Sequence, residues 1–131
     1  MAGNARRDAV VSANAPPPAG AYSHLVEYGG LVFTAGFGPH NPATGSVPDG
    51  IAAQTNAALD NVAAALAEIG LGLDDVLRAT VHLADLSGDF TGYDAAYRTR
   101  FSSPYPVRTT VGSTLAGFLI EIDVVAASPT G

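Results

Sequence analysis

Cysteine is missing from the 131 residues, and so is lysine: the six basic residues are Arg6, Arg7, Arg78, Arg98, Arg100 and Arg108. Without cysteine there is no disulfide, no thiolate nucleophile and no iron–sulfur cluster. Without lysine no side-chain Schiff base can form. No apolar run approaches the roughly 20 residues of a membrane span. The opening MAGNARRDAVV lacks the sustained apolar region of a secretory signal, so a cytoplasmic location is expected. Arginines are scattered and the net charge is −6, which argues against a nucleic-acid partner, because phosphate binding needs clustered cations. Charged residues make up only 14% and hydrophobic ones 47%. Either some surface is buried against other copies of the chain, or the sequence is merely rich in alanine.

The length suits one domain, residues 1–131, with 1–7 as a loose tail. DAVVSAN from Asp8 offers a first strand. APPPAG (15–20) cannot be regular structure, since proline fixes φ and removes a donor. Gly29-Gly30 lies between two β-prone runs, AYSHLVEY and LVFTAGFG, and predicts a two-residue hairpin with Tyr28 facing Leu31 and Tyr22 opposite Phe37. PHNPATGSVPDG reads as a loop. In IAAQTNAALDNVAAALAEIG, Ile51, Thr55, Leu59, Val62, Leu66 and Ile69 make one helical stripe, with Asp49 as the expected cap and Gly70 at the C′ position. DDVLRATVHLADL switches to period two, with Leu77, Ala79, Val81 and Leu83 on one face and Arg78, Thr80 and His82 on the other. DFTGYDAAYRTRF predicts a second helix with Phe90, Tyr93, Tyr97 and Phe101 on one side. VRTTVGSTLAG and FLIEIDVVAA predict two final strands. The order is α+β, with both helices on one face of the sheet.

The last strand carries two acids, Glu121 and Asp123, on its non-core face. If the final two strands form a hairpin turning at Leu115-Ala116, Arg108 lies opposite Asp123, and Arg108, Thr110, Glu121 and Asp123 share one polar patch. A surface salt bridge and an anion-binding arginine beside a carboxylate base both fit this pattern. His24, His40 and His82 have no metal-ligand spacing. His24 could contact a ligand beside Tyr22, although a structural role is the simpler reading. Ser23 lacks a His–Asp partner pattern, and the glycines of GGLVFTAGFG precede no helix that would make a phosphate loop. No metal or cofactor is expected.

Four ordered blocks resemble the RidA (YjgF/YER057c/UK114) family of imine and enamine deaminases. They are AP…GAYSHLVEYGGLVFTAG, QTNAALDNVAAAL, DDVLRATVHLADLSGDFTGYDAAYRTRF and PYPVRTTVG…LIEIDVVA, which together span roughly 15–127. The resemblance implies a chorismate-mutase-like α+β fold with a mixed, mostly antiparallel sheet. It also implies a homotrimer around a central barrel, with sites in the clefts between subunits. The implied activity is hydrolysis of 2-aminoacrylate-type enamines and imines to 2-oxo acids and ammonia, on a small substrate bearing a carboxylate. By the same resemblance Arg108 matches the carboxylate-binding arginine, Glu121 the acid that handles water and protons, Tyr22 the pocket tyrosine and Gly36 a backbone site. Ala35-Gly36-Phe37 stands where many active members have Ser-Gly-Gln, Asp94 where they have asparagine, and Thr110 where they often have cysteine. These departures make Phe37, Asp94 and Thr110 candidate determinants of the substrate. They leave open a specialised pathway metabolite as substrate, or a trimer that binds small ligands without turnover. The ribonuclease activity attached to some relatives is disfavoured by the acidity and the missing lysine.

Overall fold

The computed structural model describes residues 7–128. All of the expected tail except Arg7 lies outside the described residues. Six strands form one sheet: β1 (Asp8–Val10), β2 (Leu25–Tyr28), β3 (Leu31–Thr34), β4 (Val76–Leu83), β5 (Val107–Gly112) and β6 (Ile120–Ala127). The helices are α1 (Ile51–Ala67) and α2 (Leu86–Arg98). The strand order is β1-β2-β3-β6-β4-β5.

The β2–β3 hairpin turns where expected, with Tyr28 paired to Leu31 and Gly29 and Gly30 at φ 60° and 83°. Two consecutive positive φ values match the twist of the flanking strands. The pairing ends before Tyr22: Phe37 instead bridges to Ile122 of β6. In α1, Thr55, Leu59, Val62 and Leu66 are buried, and Ile51 and Ile69 sit half-buried at the ends of the stripe. Gly70 at φ 76° closes the helix. Asp49 does not cap it; the N-cap is Gly50, which has no side chain to offer. Helix α2 starts three residues earlier than DFTGY suggests, because Asp85 caps it by accepting the Gly88 N–H at 3.1 Å.

Strand β4 buries Ala79, Val81 and Leu83, but Leu77 is exposed. The register against β6 slips between Val76 and Arg78. A bulge there turns Leu77 outward and lets Val76 take the buried position.

The expected β5–β6 hairpin does not form. Strand β5 pairs in parallel with β4, placing Arg108 beside Ala79, while β6 lies antiparallel between β3 and β4. The physical reason is the helix between β4 and β5. A strand–helix–strand crossover returns the chain parallel to its first strand. Residues 113–119 then carry the chain past the end of β4 to its other side.

The core lies between the sheet and the two helices. Ile120, Ile122, Val124 and Ala126 of β6 face it, as the alternation requires, and are at most 2% exposed. Glu121, Asp123 and Val125 take the opposite, outer face, next to His82, Thr80 and Arg78 of β4. The buried His24 fastens the proline-rich entry: its Nδ1 accepts the Ser12 N–H at 2.8 Å and its Nε2 lies 2.7 Å from the Pro16 carbonyl. Its role is structural. His24→Phe leaves both backbone groups unpaired in the interior. It is expected to cost about 2–4 kcal/mol in urea unfolding at fixed protein concentration; an unchanged midpoint would show that the two bonds do not hold the segment.

Candidate functional site

The residues singled out in the sequence fall into two separate places. The first sits on the helix face, at the edge strand β5. Arg108 shares the face of its partner Ala79, and its guanidinium carbon lies 5.8, 5.1 and 4.8 Å from the ring centres of Phe90, Tyr93 and Tyr97 on α2. Cation–π attraction favours the guanidinium among these rings. The aromatic side expected for α2 is therefore a platform for an arginine as well as a core surface; Phe90, at its rim, is 38% exposed.

Arg108 Nη1 donates to Asp94 Oδ1 at 2.8 Å, and Arg98 Nη2 donates to Asp94 Oδ2 at 2.9 Å. The hydrogen bond from Arg108, then the one from Arg98, holds the Asp94 carboxyl below the usual carboxylate range. The arrangement inverts the expected one: one carboxylate lies between two guanidiniums. Arg108 makes no other hydrogen bond among the described residues. Thr110, on the same face, meets the Tyr93 hydroxyl at 2.6 Å. Burial pushes the phenols of Tyr93 and Tyr97 up, Tyr97 to about 12, so both are neutral. The buried Tyr97 hydroxyl has no partner among the described residues. Asp94, Tyr97, Arg98, Tyr105, Pro106 and Arg108 enclose a cavity of about 260 Å³.

The second place is a larger cleft, about 620 Å³, on the outer side of the sheet. Glu121, Tyr22, Gly36, Phe37, His40 and Phe118 are among its lining residues. The Glu121 carboxylate makes no hydrogen bond or ion pair with any described residue. Gly36 leaves it room: a Cβ on Gly36 would lie 2.6 Å from Glu121 Oε2. The Tyr22 hydroxyl accepts the Ala19 N–H at 3.0 Å and keeps its own proton to donate. Phe37 contributes little surface, being 4% exposed. Its ring packs tilted on His24 at 5.3 Å, and its backbone pairs with Ile122.

The single polar patch expected from the hairpin therefore does not exist within one chain. Arg108 and Thr110 face the helices, whereas Glu121 and Asp123 face outward, opposite His82 and Thr80. Asp123 does not meet Arg108. Its carboxylate instead lies near His82, with Nε2 3.8 Å from Oδ2; burial raises its pKa, and His82 and Arg78 pull the other way.

Two positioning residues escaped the sequence reading. From α1, Asn61 Nδ2 donates to the carbonyls of Gly38 and His40, both at 2.9 Å. Gln54 accepts the Leu119 N–H at 2.8 Å and donates to the Pro48 carbonyl at 3.0 Å. Both side chains are buried, and they fix the loops that wall the Glu121 cleft. The available signal was two amides seven positions apart, flanking an apolar stripe, where buried polar groups must find partners.

With this geometry in view, the chain compares as follows. Residues 12–128 match the family model described as Endoribonuclease L-PSP. The 2-iminobutanoate/2-iminopropanoate deaminase of Escherichia coli K12 is 37% identical over 105 residues, which is 78% of this chain and 81% of that protein. A RutC family protein of Pyrococcus abyssi is 34% identical over 92% of this chain and 96% of its own. Among solved structures, the YjgF gene product of E. coli superposes with a TM-score of 0.84 at 34% identity, covering 92% of this chain and 98% of that one. E. coli TdcF with bound serine gives the same TM-score of 0.84 at 30% identity, with 92% and 98% coverage. The six-stranded mixed sheet with two helices is the YjgF-like fold, and this chain belongs to the RidA/YjgF/L-PSP family.

Proposed function

We propose that this protein hydrolyses reactive enamines and imines of 2-aminoacrylate type to 2-oxo acids and ammonia, in a site built from two copies of the chain. The observation that carries this reading is the separation of the two half-sites. An arginine with spare donors and a carboxylate with no partner among the described residues lie on opposite faces of one sheet. Neither alone can both hold a substrate and activate water. A second copy bringing its β5 edge against the Glu121 cleft would join them.

The surface favours such a partner. Tyr28, Leu31, Phe33, Val107 and Val111 are exposed on β2, β3 and β5. They lie on the outer sheet face, at either side of the polar β6–β4 pair, where contact with another chain would cover them. The reading takes the assembly to be a homotrimer. The relatives named as deaminases support the activity, and a family structure holding serine supports a small amino-acid-like ligand.

The chemistry needs only protein groups. An enamine gains a proton on carbon and becomes the iminium R–C(=NH2+)–COO−. Arg108 holds the carboxylate through its remaining N–H fork. Glu121 takes a proton from water as the oxygen adds to the iminium carbon and passes it to nitrogen; as the C–N bond breaks it takes the hydroxyl proton of the carbinolamine and hands it to the departing ammonia. One water is consumed, and a 2-oxo acid and ammonium leave. No metal, thiol or lysine is required. A divergent substrate remains the second reading, favoured by the occupation of Arg108 by Asp94.

With 2-aminoacrylate generated in situ, the protein is expected to speed release of pyruvate and ammonia at least ~10²-fold over spontaneous decay, the scale of a positioned general base. An unchanged rate overturns the assignment; specific binding without turnover would leave a ligand-binding protein. Light scattering should give three times the chain mass, and a monomer would remove the shared site.

A further inference from the structure

Resting on the proposed site, we infer that Asp94 makes the Arg108 cavity a reader of zwitterions. In this reading the guanidinium takes a ligand's carboxylate while Asp94 takes its protonated nitrogen, so the cavity prefers the iminium substrate to the 2-oxo acid product. A carboxylate has about four acceptor positions. Asp94 spends one on Arg108 and one on Arg98, which leaves two. Its side chain is 24% exposed, and it lines the cavity together with both arginines. Positive and negative groups thus stand side by side on one wall.

Asp94 is also fixed in place. Two arginines pull on its two oxygens, and one of them is clamped on aromatic rings. They keep it ionised, so it presents full negative charge throughout the neutral range. A three-carbon imine and its 2-oxo acid share the carboxylate and carbon skeleton. They differ where one carries N–H donors and positive charge and the other a ketone oxygen. Asp94 attracts the first and repels the second. The same contact would favour release of the 2-oxo acid, because hydrolysis moves the positive charge from its carbon skeleton to the departing ammonium.

The test compares two ligands of one skeleton, L-alanine as the unreactive zwitterion and pyruvate as the product, by titration of the wild-type assembly and of Asp94→Asn. The amide keeps the shape and one acceptor but loses the charge, and its NH2 can donate to a ketone. Wild type should bind alanine about tenfold more tightly than pyruvate, the worth of one charge-assisted hydrogen bond. In Asp94→Asn this ratio should fall at least about tenfold, and pyruvate should inhibit turnover more strongly. Slackened positioning of Arg108 would weaken both ligands alike and cancel from the ratio. An unchanged ratio, with both ligands bound, overturns the role of Asp94 and leaves the Arg108 site standing. Failure of wild type to bind either ligand overturns both.

Discussion

Arg108→Ala is expected to lower kcat/KM for an imine substrate by about 10²–10³-fold while leaving the fold intact. The loss follows from the two things the guanidinium does at once. In the proposed role it offers a fork of donors to a substrate carboxylate, and its contacts with Phe90, Tyr93 and Tyr97 together with its bond to Asp94 leave little orientational freedom to lose on binding. Removing one partner of such a hydrogen-bonded charge pair costs about 2–5 kcal/mol. The fold survives because Asp94 keeps its bond to Arg98 and because β5 keeps its ladder to β4 and the Thr110 contact with Tyr93. Arg108→Lys should recover part of the loss and stay about tenfold below wild type, since a point charge replaces a planar fork. Steady-state kinetics with circular dichroism and light scattering as controls decide the matter. Activity of Arg108→Ala within a factor of two of wild type would place substrate binding elsewhere.

Gly36→Ala should cost nearly as much activity as Glu121→Gln, yet little stability. Gly36 is not at a positive φ, so backbone strain is not the reason. Space is: the new methyl carbon would stand 2.6 Å from Glu121 Oε2 and 2.9 Å from its carboxyl carbon. Something must move, and the mobile object is the end of a flexible side chain that no other described residue holds. The carboxylate therefore swings away at small energetic cost. Misplacement of a reacting group by about 1 Å can cost ~10² in rate, and we expect that figure for kcat. Unfolding should change by less than about 1 kcal/mol, because no buried contact of the core is lost. If Gly36→Ala retains full kcat, Glu121 does not act from the position observed here, and the general-base role fails with it.

The alternation of FLIEIDVVAA was legible without coordinates, and so was its result: Ile120, Ile122 and Val124 inward, Glu121 and Asp123 outward. So were the Gly29-Gly30 hairpin, the α1 stripe and the aromatic side of α2. Each of these rests on a local period or on glycine's conformational freedom. The pairing of β5 was misread because two adjacent strand patterns with a short connection look like a hairpin. The competing signal, a helix between β4 and β5, was present in the same stretch and dictates a parallel return. That error carried Arg108 to the wrong face and gave it the wrong partner.

Asp94 shows the boundary most clearly. In the sequence it is one acid among twelve, distinguished only by the family pattern. Its contact with Arg108 spans fourteen positions, from helix to edge strand, and no local period encodes it. The sequence by itself determined the kinds of element, the alternation along β6, the buried stripe of α1 and the family. Tertiary structure decided which strands lie side by side. Through that choice it put Arg108 and Glu121 on opposite sides of one sheet, because pairing order is set by crossover geometry and packing over long separations, and not by the residues that a single strand carries.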